Sequence, residues 1–232
     1  MTSGHALVVG ATSEIGAAIT HRLVDNGYFV TGWGRSRTRL AGLAERSAHR
    51  VRTDVVDVRD DAAVVRALQR LDETSVGPLR VVVYAVGLFD WAPADEADPE
   101  TWGDLIDTNL TAAARLTPRV LTRLRRSTPS TLVYVGSGAA HRVFPNNAAY
   151  VASKHGLAAL AAATFLDVKR HGVRVSLVSP GLVAAGGGLA SREGQERPEE
   201  LLQPEDVADC VDFVVRFPGR GCPVVIDLQP LI

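Results

Sequence analysis

The chain has 232 residues, enough for one ordinary domain, and is 46% apolar and 22% charged. That balance supports a large core beneath a wet surface and excludes a disordered chain. A formal net charge of −1 excludes a sequence-wide positive field for nucleic acid or acidic membranes, and no apolar run reaches the roughly 18 residues of a spanning helix.

The amino-terminal Met1-Thr2-Ser3-Gly4-His5 lacks the basic stretch and long apolar core of a signal peptide. Cys210 and Cys222 form neither a metal-like pair nor a disulfide framework, so a reducing cytoplasm is the expected compartment. Val- and Leu-rich runs at 5–10, 28–33, 51–55, 79–86, 131–136, 173–178 and 223–228 show little polar alternation. Such runs are strands buried on both faces of a parallel sheet. Between them, residues 15–26 place Ile15, Ile19 and Leu23 at helical spacing ahead of Gly27. Residues 60–71, 101–126, the Ala-rich 149–171 and 205–217 after Pro204 read as further helices. Strand alternates with helix throughout, which predicts an α/β fold, a doubly wound (Rossmann) three-layer sandwich. No repeat or linker divides it, so residues 1–232 are expected to form one domain. Two segments, 87–99 and 180–203, read as long loops at the carboxyl ends of strands, where open α/β sheets bind ligands. The first carries Phe89 and Trp91, and the second Gly186-Gly187-Gly188 followed by a charged stretch.

The first strand runs into Gly10-Ala11-Thr12-Ser13-Glu14-Ile15-Gly16 and then a helix. Gly10 permits a tight turn, Gly16 a close approach of helix and strand, and the helix amino end offers free N–H groups to a pyrophosphate. After the second strand there is no acid for a bare ribose hydroxyl; Arg35 and Arg37 stand there instead. Guanidinium suits a 2′-phosphate, which favours NADP over NAD, although both arginines also fit a solvated helix start. Trp33 fits either the core or a cofactor wall.

The strongest signal is Ser137 followed by Tyr150-Val151-Ala152-Ser153-Lys154. Tyrosine and lysine four apart share a helix face. A phenol is too weak an acid for proton exchange near neutrality, and a nearby ammonium lowers its pKa. Tyr150 is then a general acid or base, and Ser137, at a strand end, a holder of the substrate oxygen.

With Gly10…Gly16, Asp54, Gly87, Asn109, Ser137, Tyr150, Lys154 and Pro180-Gly181 in order, the chain resembles the short-chain dehydrogenase/reductase family over essentially its whole length. The resemblance implies a seven-stranded Rossmann sheet, a nicotinamide cofactor and hydride transfer to or from a carbonyl carbon. By it, Tyr150 exchanges the proton, Lys154 holds the nicotinamide ribose, Ser137 orients the substrate and Asn109 keeps a relay water. Thr12, Ser13, Glu14 and Ile15 belong to the phosphate turn; Asp54 and Val55 meet the adenine. Gly87, Pro180, Gly181 and Val183 border the cofactor, which Tyr150 and Lys154 also touch. Arg35 occupies a position that is often basic in NADP-preferring members. Dimers or tetramers through the helices matching 101–126 and 149–171 are implied as well.

Three departures stand out. Glu14 replaces the family's middle glycine, and its carboxylate repels a pyrophosphate unless it points to solvent. Tyr84-Ala85-Val86-Gly87 replaces Asn-Asn-Ala-Gly, removing side-chain bonds that brace the sheet. Ala185 stands where a threonine often lies near the nicotinamide amide.

The histidines have no metal-like spacing, and His155 and His171 read as helix-surface residues. His141, Phe144, Phe89 and Trp91 fit either a substrate pocket or loop packing. The arginines between 115 and 126 read as a solvated or subunit-facing side. The expected activity is therefore an NADPH-dependent ketone or carbonyl reductase, or the reverse alcohol dehydrogenase, on a small organic substrate. The rivals are a non-redox enzyme of the same fold (isomerase, dehydratase or cyclase) and a binding or regulatory protein with a degenerate cofactor site.

Overall fold

The computed structural model describes residues 4–47, 49–73 and 76–231; residues 1–3, read above as part of a leaderless amino end, lie outside them. Seven parallel strands form one sheet. They are β1 (His5–Val9), β2 (Phe29–Gly34), β3 (Val51–Val55), β4 (Leu79–Tyr84), β5 (Ser130–Val135), β6 (Val173–Pro180) and β7 (Val225–Leu228), in the order β3-β2-β1-β4-β5-β6-β7. The order reverses between β1 and β4, the switch point at which such sheets bind ligands.

The apolar runs have a simple cause. Leu7, Val9, Val82, Tyr84, Leu132 and Tyr134 pack on one face of the sheet, under α3 (Asp61–Asp72), α5 (Ala112–Leu124) and α6 (Ala148–Val168). Ala6, Val8, Val81, Val83 and Val133 pack on the other, under α1 (Glu14–Asp25), α2 (Arg37–Glu45) and α9 (Pro204–Arg216). Both faces are covered along the central strands, which leaves polar residues little place in their alternation; the edge strands β3 and β7 are more exposed and carry Arg52, Asp54 and Asp227. Trp33 is fully buried in the first of these clusters, which assigns it to the core and not to a cofactor wall.

Four sequence expectations are corrected. Residues 101–126 are not one regular helix: α4 (Pro99–Ile106) runs through a π-helical turn, Asp107–Thr111, into α5. Helix α2 is absent from the sequence-based elements because only Leu40 and Leu43 of it reach the core between exposed arginines. Segment 180–203 is not structureless. It holds α7 (Gly186–Ala190), α8 (Arg192–Glu196) and a 3₁₀ turn, and a Val183–Leu202 pairing closes its base. Arg119 and Arg123 do not face solvent freely: they pair with Asp61 at 2.8 Å and Asp72 at 2.6 Å, stitching α5 to α3. No helix among the described residues is long and apolar enough to cross a membrane.

At the foot of β1, His5 Nε2 lies 2.8 Å from Thr31 Oγ1. Burial, assisted by the charge of Arg52, pushes the His5 pKa from 6.5 down to about 4. Between these values the unfolded chain takes up a proton that the fold refuses. Stability is therefore full above pH 6.5 and falls by up to about 3 kcal/mol as the pH drops toward 4. Urea denaturation across this range should show the slope, and His5→Asn should flatten it.

Candidate active site

Ser137 lies two residues beyond β5 and starts a 3₁₀ turn, Gly138–Ala140, its Oγ accepting from Ala139 N–H at 3.1 Å. Its hydroxyl neighbours that of Tyr150 and favours the phenolate. Tyr150 and Lys154 occupy the first turns of α6, and Lys154 Nζ lies 5.7 Å from the Tyr150 ring centroid. Lys154 is buried, donates to the Val135 carbonyl at 3.2 Å, and has its pKa pushed from 10.5 to about 8 by burial. The expected lowering of the tyrosine pKa does not hold in this arrangement. Burial raises Tyr150 above its ordinary value, and it is the neighbouring Ser137 hydroxyl that opposes the rise.

Asn109 sits in the π-helical turn, a distortion that recurs at functional sites. Its amide is fully committed within the protein. Oδ1 accepts from Leu88 N–H at 2.7 Å, while Nδ2 donates to the Leu88 carbonyl at 2.9 Å and to Ser153 Oγ at 3.0 Å. Ser153, which no motif singles out, passes the link on by donating to the Tyr150 carbonyl at 2.7 Å. Gly87 lies between these groups: a Cβ there would come within 3.4 Å of Lys154 Nζ and 3.8 Å of Asn109 Oδ1. Where the Asn-Asn pair is missing, Tyr84 makes a bond of a different kind, from the sheet to a helix. Its buried hydroxyl donates to the Thr108 carbonyl at 2.7 Å, pinning the π-helical turn to β4. Only the fold shows this, because a tyrosine at a strand end has no motif.

The phosphate turn is built from backbone. Gly10 has φ +91°, and a Cβ on it would lie 2.7 Å from the Ala85 carbonyl oxygen; one on Gly16 would lie 2.1 Å from the Gly10 oxygen. Ser13 caps α1, accepting from Gly16 N–H at 3.0 Å and donating to the Gly10 carbonyl at 3.0 Å. Glu14 and Ile15 open the helix, where amides have no intrahelical acceptor. The Glu14 side chain is exposed, and Thr12 packs against Gly34. A carboxylate in a first helical turn also complements the helix dipole.

Beyond this turn, Arg37, Leu40, Ala41, Thr53, Asp54 and Val55 line a cavity of about 430 Å³. Asp54 Oδ1 accepts from Arg70 Nε at 2.9 Å, while Oδ2 is buried with no partner among the described residues. An orphaned acceptor at the end of β3 fits an exocyclic amine such as that of adenine. Arg35 is exposed one residue after β2. Pro180 ends β6, and Gly181 N–H donates to the Leu228 carbonyl at 2.7 Å. Val183 turns into the core. The side chain of Gln229 lies between Gly138 and Gly181, a neighbour that no motif signals.

Of the ambiguous residues, Phe89 packs edge-on to Tyr150 with ring centroids 5.0 Å apart, and Trp91 lies beside Phe89 at 6.1 Å. His141 Nε2 lies 3.2 Å from Ser179 Oγ. Phe144 joins Val143, Ala148, Val151, Ala152 and His155 around a separate apolar hollow of about 290 Å³.

Residues 4–196 match the family model described as short chain dehydrogenase. The chain is 34% identical to sulfoacetaldehyde reductase 2 of Chromohalobacter salexigens over 92% of its own length and 89% of that protein. It is 28% identical to the NADP-dependent 3-hydroxy acid dehydrogenase YdfG of Salmonella typhi, over 97% of this chain and 94% of the relative. Among solved structures, a single-residue variant of actinorhodin polyketide ketoreductase with NADPH superposes with a TM-score of 0.85 at 27% identity, covering 99% of this chain and 97% of that one.

Two outcomes follow from this geometry. Tyr84→Phe leaves the Thr108 carbonyl without its donor and should cost about 1–3 kcal/mol in denaturant unfolding. Lys154 contributes a cost that lifts with pH: between about 8 and 10.5 the unfolded chain holds the extra proton, so stability rises as pH climbs through that window. Lys154→Met should raise the melting temperature at pH 7 and abolish the rise between about pH 8 and 10.5.

Proposed function

Because the chain belongs to the short-chain dehydrogenase/reductase family, we propose that it is an NADPH-dependent reductase of a small carbonyl compound, working through Tyr150, Ser137 and Lys154. The observation that carries this is the convergence of Ser137, Tyr150 and the buried Lys154 at the carboxyl edge of the sheet, with Lys154 Nζ 5.7 Å from the Tyr150 ring centroid. When bound, NADPH supplies the hydride that goes to the carbonyl carbon. Tyr150 gives its proton to the carbonyl oxygen, and Ser137 donates a hydrogen bond to the same oxygen. A phenol kept protonated by burial is a secure donor, and an alkoxide forming beside it is basic enough to take the proton. Lys154 stabilises the phenolate left behind, and Asn109 holds the Leu88 segment and α6 in register around it.

The phosphate turn fits a pyrophosphate because its glycines leave no room for side chains and Glu14 points to solvent. Arg35 and Arg37 are the groups assigned to a 2′-phosphate, with Asp54 Oδ2 toward the adenine amine. The relatives named for NADP and NADPH support this choice, and those named for sulfoacetaldehyde and 3-hydroxy acids support a small substrate.

Trp33 is buried in the core, so calorimetry is a better reporter of binding than tryptophan quenching. Titration should show NADPH binding more tightly than NADH, with Arg35→Ser removing about tenfold or more of that preference. Tyr150→Phe should abolish carbonyl-dependent NADPH oxidation while leaving NADPH affinity within about twofold. Unchanged turnover in that variant would remove the proposed donor, and turnover without NADPH consumption would point to non-redox chemistry.

A further inference from the structure

Phe89 stands at the junction of two loops and the catalytic helix. Its ring meets the Tyr150 ring edge-on, 5.0 Å between centroids at 78°, and Trp91 backs it at 6.1 Å. On its other side is Gly187 of α7, where a Cβ would come within 2.9 Å of Phe89 Cδ1 and 3.0 Å of Cγ. The reason for glycine at 187 is space. The left-handed backbone in the run belongs to Gly186, with φ +43°, and a Cβ there would meet nothing within 4 Å. At Gly187 the crowding comes from the Phe89 ring. Segment 87–99 is itself strapped down by the Ala92 N–H donating to the Asn146 carbonyl at 2.7 Å. The base of segment 180–203 is closed by Ala184 N–H and Leu202 N–H, which donate to the Leu202 and Leu182 carbonyls at 2.7 and 3.1 Å. The ring is therefore held from both sides, yet it is 43% exposed.

We propose that Phe89 is a specificity-determining residue: a wedge, seated on Gly187 and bearing on the Tyr150 ring, that confines the ligand at Tyr150 to small carbonyl compounds and excludes aryl ketones. The inference rests on the reductase reading for its substrate chemistry. An aryl ketone needs room for a ring beside its carbonyl, and Phe89 fills ring-sized space next to the group that must protonate that carbonyl. Removing the side chain opens a void of matching shape, and an apolar void favours an apolar occupant. Adding a methyl at Gly187 drives the same ring toward Tyr150 and should narrow the space further.

The test compares kcat/KM for a small-aldehyde set (acetaldehyde, glycolaldehyde and glyoxylate) with that for acetophenone, using NADPH. It is run on the wild type, Phe89→Ala, Phe89→Leu and Gly187→Ala. Phe89→Ala should raise the acetophenone-to-aldehyde ratio about tenfold or more, with NADPH affinity unchanged as the check on folding. Phe89→Leu should restore part of the exclusion, and Gly187→Ala should lower the ratio or the aldehyde rate. A second readout needs no turnover. The Tyr150 phenolate titration, obtained as the absorbance difference from Tyr150→Phe, should shift down in Phe89→Ala as the ring is uncovered. An enzyme that reduces the aldehydes but shows an unchanged ratio in Phe89→Ala overturns the wedge. A wild type that reduces none of the probes, with the titration shifted in Phe89→Ala, supports the wedge on Tyr150 and overturns the reductase reading; an unshifted titration overturns both.

Discussion

The site depends on the way a single amide joins three parts of the fold. Asn109 spends its side chain on the Leu88 backbone and on Ser153, so the segment after β4, the π-helical turn and α6 are locked at one point. Leu88 carries the chain into Phe89, and Ser153 precedes Lys154. An error at Asn109 would therefore spread to the wall of the site and to its cation together. Tyr84 secures the same point from the sheet by holding the Thr108 carbonyl. These bonds are buried or partly buried, and an unmade buried partner costs far more than a made bond contributes. That asymmetry gives the region one arrangement.

Around this anchor the fold keeps two ionisable groups in places that disfavour their charge. Lys154 is pushed down to about 8 and Tyr150 is raised, both chiefly by burial. Near neutral pH the cost to stability comes from Lys154, whose charge is buried, whereas Tyr150 simply keeps its proton. Strain of this kind concentrates at functional sites. The glycine-lined turn after β1 follows another rule. There the geometry is almost all backbone, with glycines placed where carbonyl oxygens approach too closely for any Cβ.

Much of this was legible in the residues, for reasons that differ from element to element. The central strands read clearly because both of their faces are covered, and the helices with deep apolar stripes, α1, α3 and α9, read nearly to the residue. Helix α2 was lost because two buried leucines make a poor stripe. The π-helical turn was invisible because one extra residue per turn leaves the composition unchanged. Arg119 and Arg123 looked solvated because their partners, Asp61 and Asp72, are more than 50 positions away. Trp33 could not be assigned, since an indole suits a core as well as a pocket wall.

The sequence by itself determined the doubly wound sheet, the backbone-lined turn at Gly10 and Gly16, and the shared helix face of Tyr150 and Lys154. These are consequences of local spacing and of side chains that are absent or apolar. Only the tertiary structure decided that Glu14 faces solvent, that Tyr84 ties the sheet to a helix, that burial sets the direction of the Tyr150 shift, and that Phe89 rests between Gly187 and Tyr150. Each of those depends on what lies across space from a residue, and a contact between distant positions leaves no periodic trace along the chain.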